Sequence, residues 1–159
     1  QGWVAHFLLR AIDGKPITVY GDGRQVRDVL YVDDLVDAFL LAERDIDRIA
    51  GRAFNIGGGP RNVVSLLDLL GRIEQLDGRR PVVSFADWRT GDQRWYVSDP
   101  RRFAAATGWT PRIDAQQGIE RLYRWLRELR AGERAARAQR IEPRVATAAH
   151  ALARAGGGS

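Results

Sequence analysis

Apolar residues recur along this chain with two periods, and they divide it into alternating helices and strands. Trp3 to Ala11 has helical spacing and is closed by Asp13-Gly14 and Pro16. The β-branched run Ile17-Thr18-Val19-Tyr20 reads as a strand, and a second apolar run, Val29 to Val32, as another. Leu35, Ala38, Phe39, Leu41 and Ala42 return to the helical period. Ala53 to Ile56 predicts a short strand. Ser65 predicts the cap of a helix whose apolar side is Leu66, Leu67, Leu69, Leu70 and Ile73. Pro81 to Phe85 and Trp95 to Val97 predict two further strands. Arg101 to Ala106 predicts a short helix closed by Thr107-Gly108. Asp114 predicts the cap of a last helix reaching about Leu129, with Ile119, Leu122, Tyr123 and Leu126 on one face. Strands alternating with helices give the class α/β.

Between the first two strands, Gly21-Asp22-Gly23 marks a turn, and Arg27 follows it. Such a turn aims a forked guanidinium donor, suited to phosphate oxygens, over the strand ends. A plain strand–turn–strand with a surface arginine has the same spacing. Phe54-Asn-Ile-Gly-Gly-Gly-Pro-Arg-Asn62 has the outline of a dinucleotide loop, but Asn62 stands where a third glycine is required and Pro60 removes a backbone donor. It is rejected as a cofactor fingerprint. Asp33, Asp34 and Asp37 are better explained as caps and a solvated helix face than as a metal cluster. Trp88, Trp95, Trp109 and Trp125 read as packing residues. His6 and His150 lack an evident partner.

Composition narrows the classes. The chain has 159 residues, 45% of them hydrophobic, enough for one modest core, and no cysteine for disulfides or thiolate metal sites. No apolar run approaches the ~20 residues of a membrane helix, and the first residues do not read as a signal peptide; the expected setting is cytoplasmic. The net charge of +5 is concentrated after Leu126, where seven arginines face three glutamates. The preceding part is close to neutral, and Lys15 is the only lysine among 25 basic residues. That distribution argues against nucleic acid as a partner. The expected organisation is a folded part, 1–129, and an Ala/Arg-rich basic tail, 130–159, loosely helical or disordered and without the large apolar residues of a membrane-surface helix.

Six motifs in order carry a resemblance: Gly2-Trp-Val-Ala, Pro16-Ile-Thr-Val-Tyr-Gly-Asp-Gly, Gln25-Val-Arg-Asp-Val-Leu-Tyr-Val-Asp-Asp, Phe54-Asn-Ile-Gly-Gly-Gly, Trp88-Arg-Thr-Gly-Asp-Gln and Tyr96-Val-Ser-Asp. Over roughly residues 1–128 the chain resembles the C-terminal half of an extended short-chain dehydrogenase/reductase acting on nucleotide sugars, with wording nearest the CDP-paratose (CDP-tyvelose) 2-epimerases. The resemblance implies a small mixed sheet with flanking helices, the NAD-binding Rossmann half being absent. A start without Met, inside a helix, agrees with such a fragment.

The resemblance also implies roles. Arg27 and Arg89 would grip the nucleotide diphosphate, and Asp92 a ribose hydroxyl. Ile17 to Tyr20 would lie along the base, the Tyr20 ring forming a wall. Asn55 would bond phosphate or pin a strand end, and Gln1 and Trp3 would border the sugar. No catalytic, cofactor-binding or metal-binding residue is expected here. The family's Tyr-x-x-x-Lys pair has no counterpart, because the residue four before Lys15 is Ala11. NAD would be bound by the absent half, which would itself be a partner, and the isolated chain would bind nucleotide sugar weakly and not turn over. A 4-epimerase or 4,6-dehydratase fragment, and a stand-alone nucleotide- or protein-binding module, remain alternatives.

Overall fold

The computed structural model describes the backbone of residues 2–155 and the side chains of 2–136 and 139. The expected site residue Gln1 lies outside them. The chain divides into two compact units, Gln1–Tyr123 and Arg124–Ser159.

The first unit opens with α1 (Trp3–Ile12), which buries Phe7, Leu8, Ala11 and Ile12 on one side and packs against α4 (Leu66–Asp77). β1 (Ile17–Tyr20) follows. Ile17 and Val19 are fully buried while Thr18 is exposed, the period of two that a half-covered strand requires. β1 pairs in parallel with β4 (Val83–Ala86), Ile17 opposite Val83 and Tyr20 opposite Ala86. A second sheet has β2 (Val26–Asp28) at its centre, antiparallel to β3 (Val63–Ser65) and parallel to β5 (Trp95–Tyr96).

The sequence placed the second strand at 29–32, but the ladder lies at 26–28. Tyr31 already precedes α2 (Val32–Arg44), so Val29 to Tyr31 form the extended entry to a helix. Arg27 therefore sits mid-strand rather than in the turn. The strand expected at 53–56 does not form; that backbone runs without ladder partners, and the pairing falls to Val63–Ser65, which the sequence reading missed. α3 (Ile46–Ile49) is a further short turn of helix.

Local signals worked best at helix ends. Ser65 accepts from the Asp68 amide at 3.0 Å while the Asp68 carboxylate accepts from the Ser65 amide at 3.1 Å, a reciprocal cap. Asp114 accepts from the Gln117 amide at 2.8 Å, ahead of α6 (Ala115–Ala155). That helix does not stop near Leu129: Ala, Arg and Glu, all strong helix formers, dominate the residues that follow.

One apolar cluster joins Ala38, Ile49, Phe103 of α5 (Arg101–Thr107) and Trp109, with Phe54 packed against it. Trp109 is core as expected, but Trp95 and Trp125 are 67% and 57% exposed, so neither is a packing residue.

Asp34 corrects another expectation. It is 1% exposed, neither a cap nor on a solvated face. Its carboxylate accepts from the Arg112 and Ile113 amides at 3.1 and 3.0 Å, and its carbonyl from Trp109 Nε1 at 3.0 Å. One buried acid thus ties α2 to the segment that leads into α6.

Candidate nucleotide-binding hollow

Ladder geometry leaves one edge of β1 available. The Ile17 amide donates to Val82 and the Gly21 amide to Ala86, so the odd-numbered residues face β4. In a strand, alternate residues turn their peptide groups to opposite edges. Thr18 thus presents its N–H and C=O to the edge where no other strand lies among the described residues. At Tyr20 the carbonyl is taken by Gln25 Nε2 at 2.6 Å.

Along this strand lies a hollow of about 540 Å³ bordered by Trp3, His6, Phe7 and Arg10 of α1, by Pro16, Thr18 and Tyr20, and by Arg89. Arg89 lays its guanidinium on the Tyr20 ring, Cζ 3.6 Å from the centroid. That guanidinium has no hydrogen bond or ion pair among the described residues. Arg10 donates from Nε to the Pro16 carbonyl at 2.7 Å, and its Nη groups carry no partner there either. No carboxylate borders the hollow. Two unquenched cations, a free peptide edge and three aromatic rings suit a flat anionic ligand.

The loop that carries Arg89 is positioned by Gly21. With φ at +82°, this residue lies beneath the Trp88 ring so closely that a Cβ would stand 2.5 Å from Trp88 Cε2. Arg94 lies over the same indole, 5.1 Å from the ring centroid. The Asp92 amide closes the turn by donating to the Arg89 carbonyl at 3.1 Å.

The hollow gathers Trp3, Tyr20 and Arg89 of the expected residues. Ile17 contributes no contact surface, being fully buried with its amide committed to Val82. Arg27 is not among the residues that border this hollow. Arg27 Nη1 donates to the Val26 carbonyl at 2.8 Å, and Nη2 donates to the Gln93 carbonyl. A mid-strand position turns Arg27 toward its own sheet and the loop beside it, so it fastens β2 to the segment that follows Arg89. Asn55 is exposed, outside the hollow, on backbone that forms no strand. The Asp92 side chain is exposed and also lies outside it. His6 and Arg10 were missed. Their i, i+4 spacing with Trp3 and Phe7 on one helix was the available signal.

The glycine loop has another function. Asp28 accepts from the Gly59 amide at 2.8 Å, from the Ser98 amide at 3.1 Å and from the Ser98 hydroxyl. Burial pushes the Asp28 carboxyl up, yet the Ser98 and Gly59 hydrogen bonds together hold it below its ordinary value. A Cβ on Gly57 would lie 2.1 Å from Ser98 Oγ, and one on Gly58 2.0 Å from the Val29 carbonyl oxygen. These glycines permit close packing on β2 and leave no cradle for a dinucleotide pyrophosphate. The described residues therefore do not fit NAD at this loop.

Residues 1–57 match the model of the NAD dependent epimerase/dehydratase family, and the chain belongs to that family. It is 35% identical over 130 residues to the CDP-paratose 2-epimerase of Salmonella typhi, covering 79% of this chain and 38% of that protein. It is 33% identical over 125 residues to dTDP-glucose 4,6-dehydratase 1 of Escherichia coli K12, covering 74% of this chain and 34% of that one. Among solved structures, UDP-glucose 4-epimerase of Thermotoga maritima with UDP-glucose superposes with a TM-score of 0.73 at 30% identity, over 80% of this chain and 40% of that one. The chain thus spans less than half the length of these relatives. Among the described residues no helix is long and apolar enough to cross a membrane.

Proposed function

We propose that this chain forms the nucleotide-binding wall of an NAD-dependent epimerase acting on a pyrimidine nucleoside diphosphate sugar. The observation that carries the reading is the unpaired Arg89 guanidinium stacked on Tyr20, in a hollow free of carboxylates beside the open edge of β1. Similar proteins favour the ligand class, since their names specify CDP, dTDP or UDP. The base lies beside Thr18, whose N–H and C=O offer a donor and an acceptor to its edge. The diphosphate meets Arg89, and the sugar extends toward groups that do the chemistry.

Those groups lie outside the described residues in this reading. The lone lysine has no tyrosine four residues before it, and the glycine loop is committed to Asp28 and Ser98. NAD supplies hydride transfer in the family and is held by a Rossmann part beyond these residues. What this chain contributes is binding and orientation remote from the reacting carbon, which lowers the barrier by fixing geometry. CDP-paratose-type epimerisation is the particular activity favoured by the similarity to the Salmonella enzyme. Nucleotide-sugar dehydration is the second reading, favoured by 35% identity to the dTDP-glucose 4,6-dehydratase of an Actinoplanes species.

Amide-resolved NMR titration of the 159-residue chain with millimolar CDP, UDP and dTDP tests the binding role. Shifts confined to Trp3, Thr18, Tyr20 and the 88–92 loop are expected. Shifts elsewhere, or none, would remove it.

A further inference from the structure

Arg10 is held at the opposite end of the hollow from Arg89. Its Nε bond to the Pro16 carbonyl fixes the guanidinium beside the start of β1, whereas Arg89 lies over Tyr20 at the strand's end. From Pro16 to Tyr20 an extended strand advances about 13 Å, at about 3.3 Å per residue. Two linked phosphates are much shorter than that. A diphosphate seated on Arg89 therefore leaves Arg10 to whatever lies past Thr18.

We infer that Arg10 reads the nucleobase, donating from its free Nη groups to a ring carbonyl oxygen, and so is a specificity residue separate from the diphosphate contact. This rests on the binding role proposed above. A guanidinium only donates hydrogen bonds, so it matches a carbonyl and not a ring amine; every pyrimidine named among the relatives has a carbonyl at C2. The Thr18 peptide edge between the two arginines takes the rest of the base edge. His6, one helical turn before Arg10, borders the same side of the hollow. Because no carboxylate lines the hollow, Arg10 keeps its donors for ligand, and the Pro16 bond limits the rotamer freedom it would lose on binding.

The test compares UDP with inorganic pyrophosphate on the wild-type 159-residue chain and on Arg10→Met, Arg10→Lys and Arg89→Ala, by NMR titration. Arg10→Met is expected to weaken UDP about tenfold or more, the scale of a lost hydrogen bond from a charged donor, and to leave pyrophosphate binding unchanged. Arg10→Lys keeps the charge but loses the fork and serves if the methionine variant unfolds; it should show the same split. Arg89→Ala should weaken both ligands. Unchanged UDP affinity in the Arg10 variants, or equal loss of UDP and pyrophosphate, overturns base reading while the Arg89 result still stands for the binding role. A wild-type chain that binds neither ligand overturns both.

Discussion

The Arg89 guanidinium rests on the face of the Tyr20 ring, 3.6 Å from its centroid, and makes no ion pair among the described residues. A cation held by a ring keeps all its N–H donors for a ligand while its orientation is already set. Tyr20→Phe should therefore leave nucleotide affinity nearly intact. Tyr20→Leu should weaken it about twofold to fivefold, in keeping with about 0.5–1 kcal/mol for an exposed cation–π pair. Calorimetric or NMR titration with UDP distinguishes the two.

Arg27 and Arg89 should separate by readout. Arg27 is tied to the Val26 and Gln93 carbonyls, so Arg27→Ala should lower stability by about 1–2 kcal/mol. Arg89→Ala removes an exposed side chain and should change stability by less than about 0.5 kcal/mol while removing diphosphate binding. Urea denaturation of both variants, set beside their ligand titrations, makes the comparison.

Gly21 should matter for binding through Trp88. Alanine there places a Cβ inside the indole contact on backbone of positive φ. Gly21→Ala should cost about 1–3 kcal/mol of stability and displace the loop that presents Arg89. Trp88 fluorescence and UDP affinity should change together; altered affinity with an unchanged Trp88 environment would break that link.

Asp28 should give the stability profile an acid limb. Its carboxyl titrates below the ordinary 3.8, so the stabilisation it provides is complete above that pH and is lost as pH falls through the lower folded value. Asp28→Asn should flatten the decline in melting temperature between pH 4 and the acid limit. Wild-type and variant curves that stay parallel there would contradict the assignment.

Asp34→Ala should be the most damaging of the acidic substitutions. Two part-buried amides, of Arg112 and Ile113, lose their acceptor, at up to about 1–3 kcal/mol for each donor left unsatisfied. Chemical denaturation measures the total.

Near-neighbour chemistry was legible from the chain itself. The alternation in Ile17 to Tyr20, the Ser65–Asp68 cap, the Asp114 cap and the α/β class follow from residues within a few positions of one another, where period and capping act. The six motifs likewise indicated the family, because their order is a property of sequence. What tertiary structure decided was the partner of each side chain. Arg27 and Arg89 look equivalent in sequence, yet one is consumed by the neighbouring Val26 carbonyl and by that of Gln93, brought in by folding, and the other is left open on Tyr20. Asp34 resembles a helix-start acid until Arg112 and Ile113 fold over it. Arg10 carries no local mark of function, and only the packing of α1 along β1 sets it facing a hollow without a counter-charge. Hydrogen-bond and charge partners far apart in the chain are chosen by folding, and no periodicity encodes them.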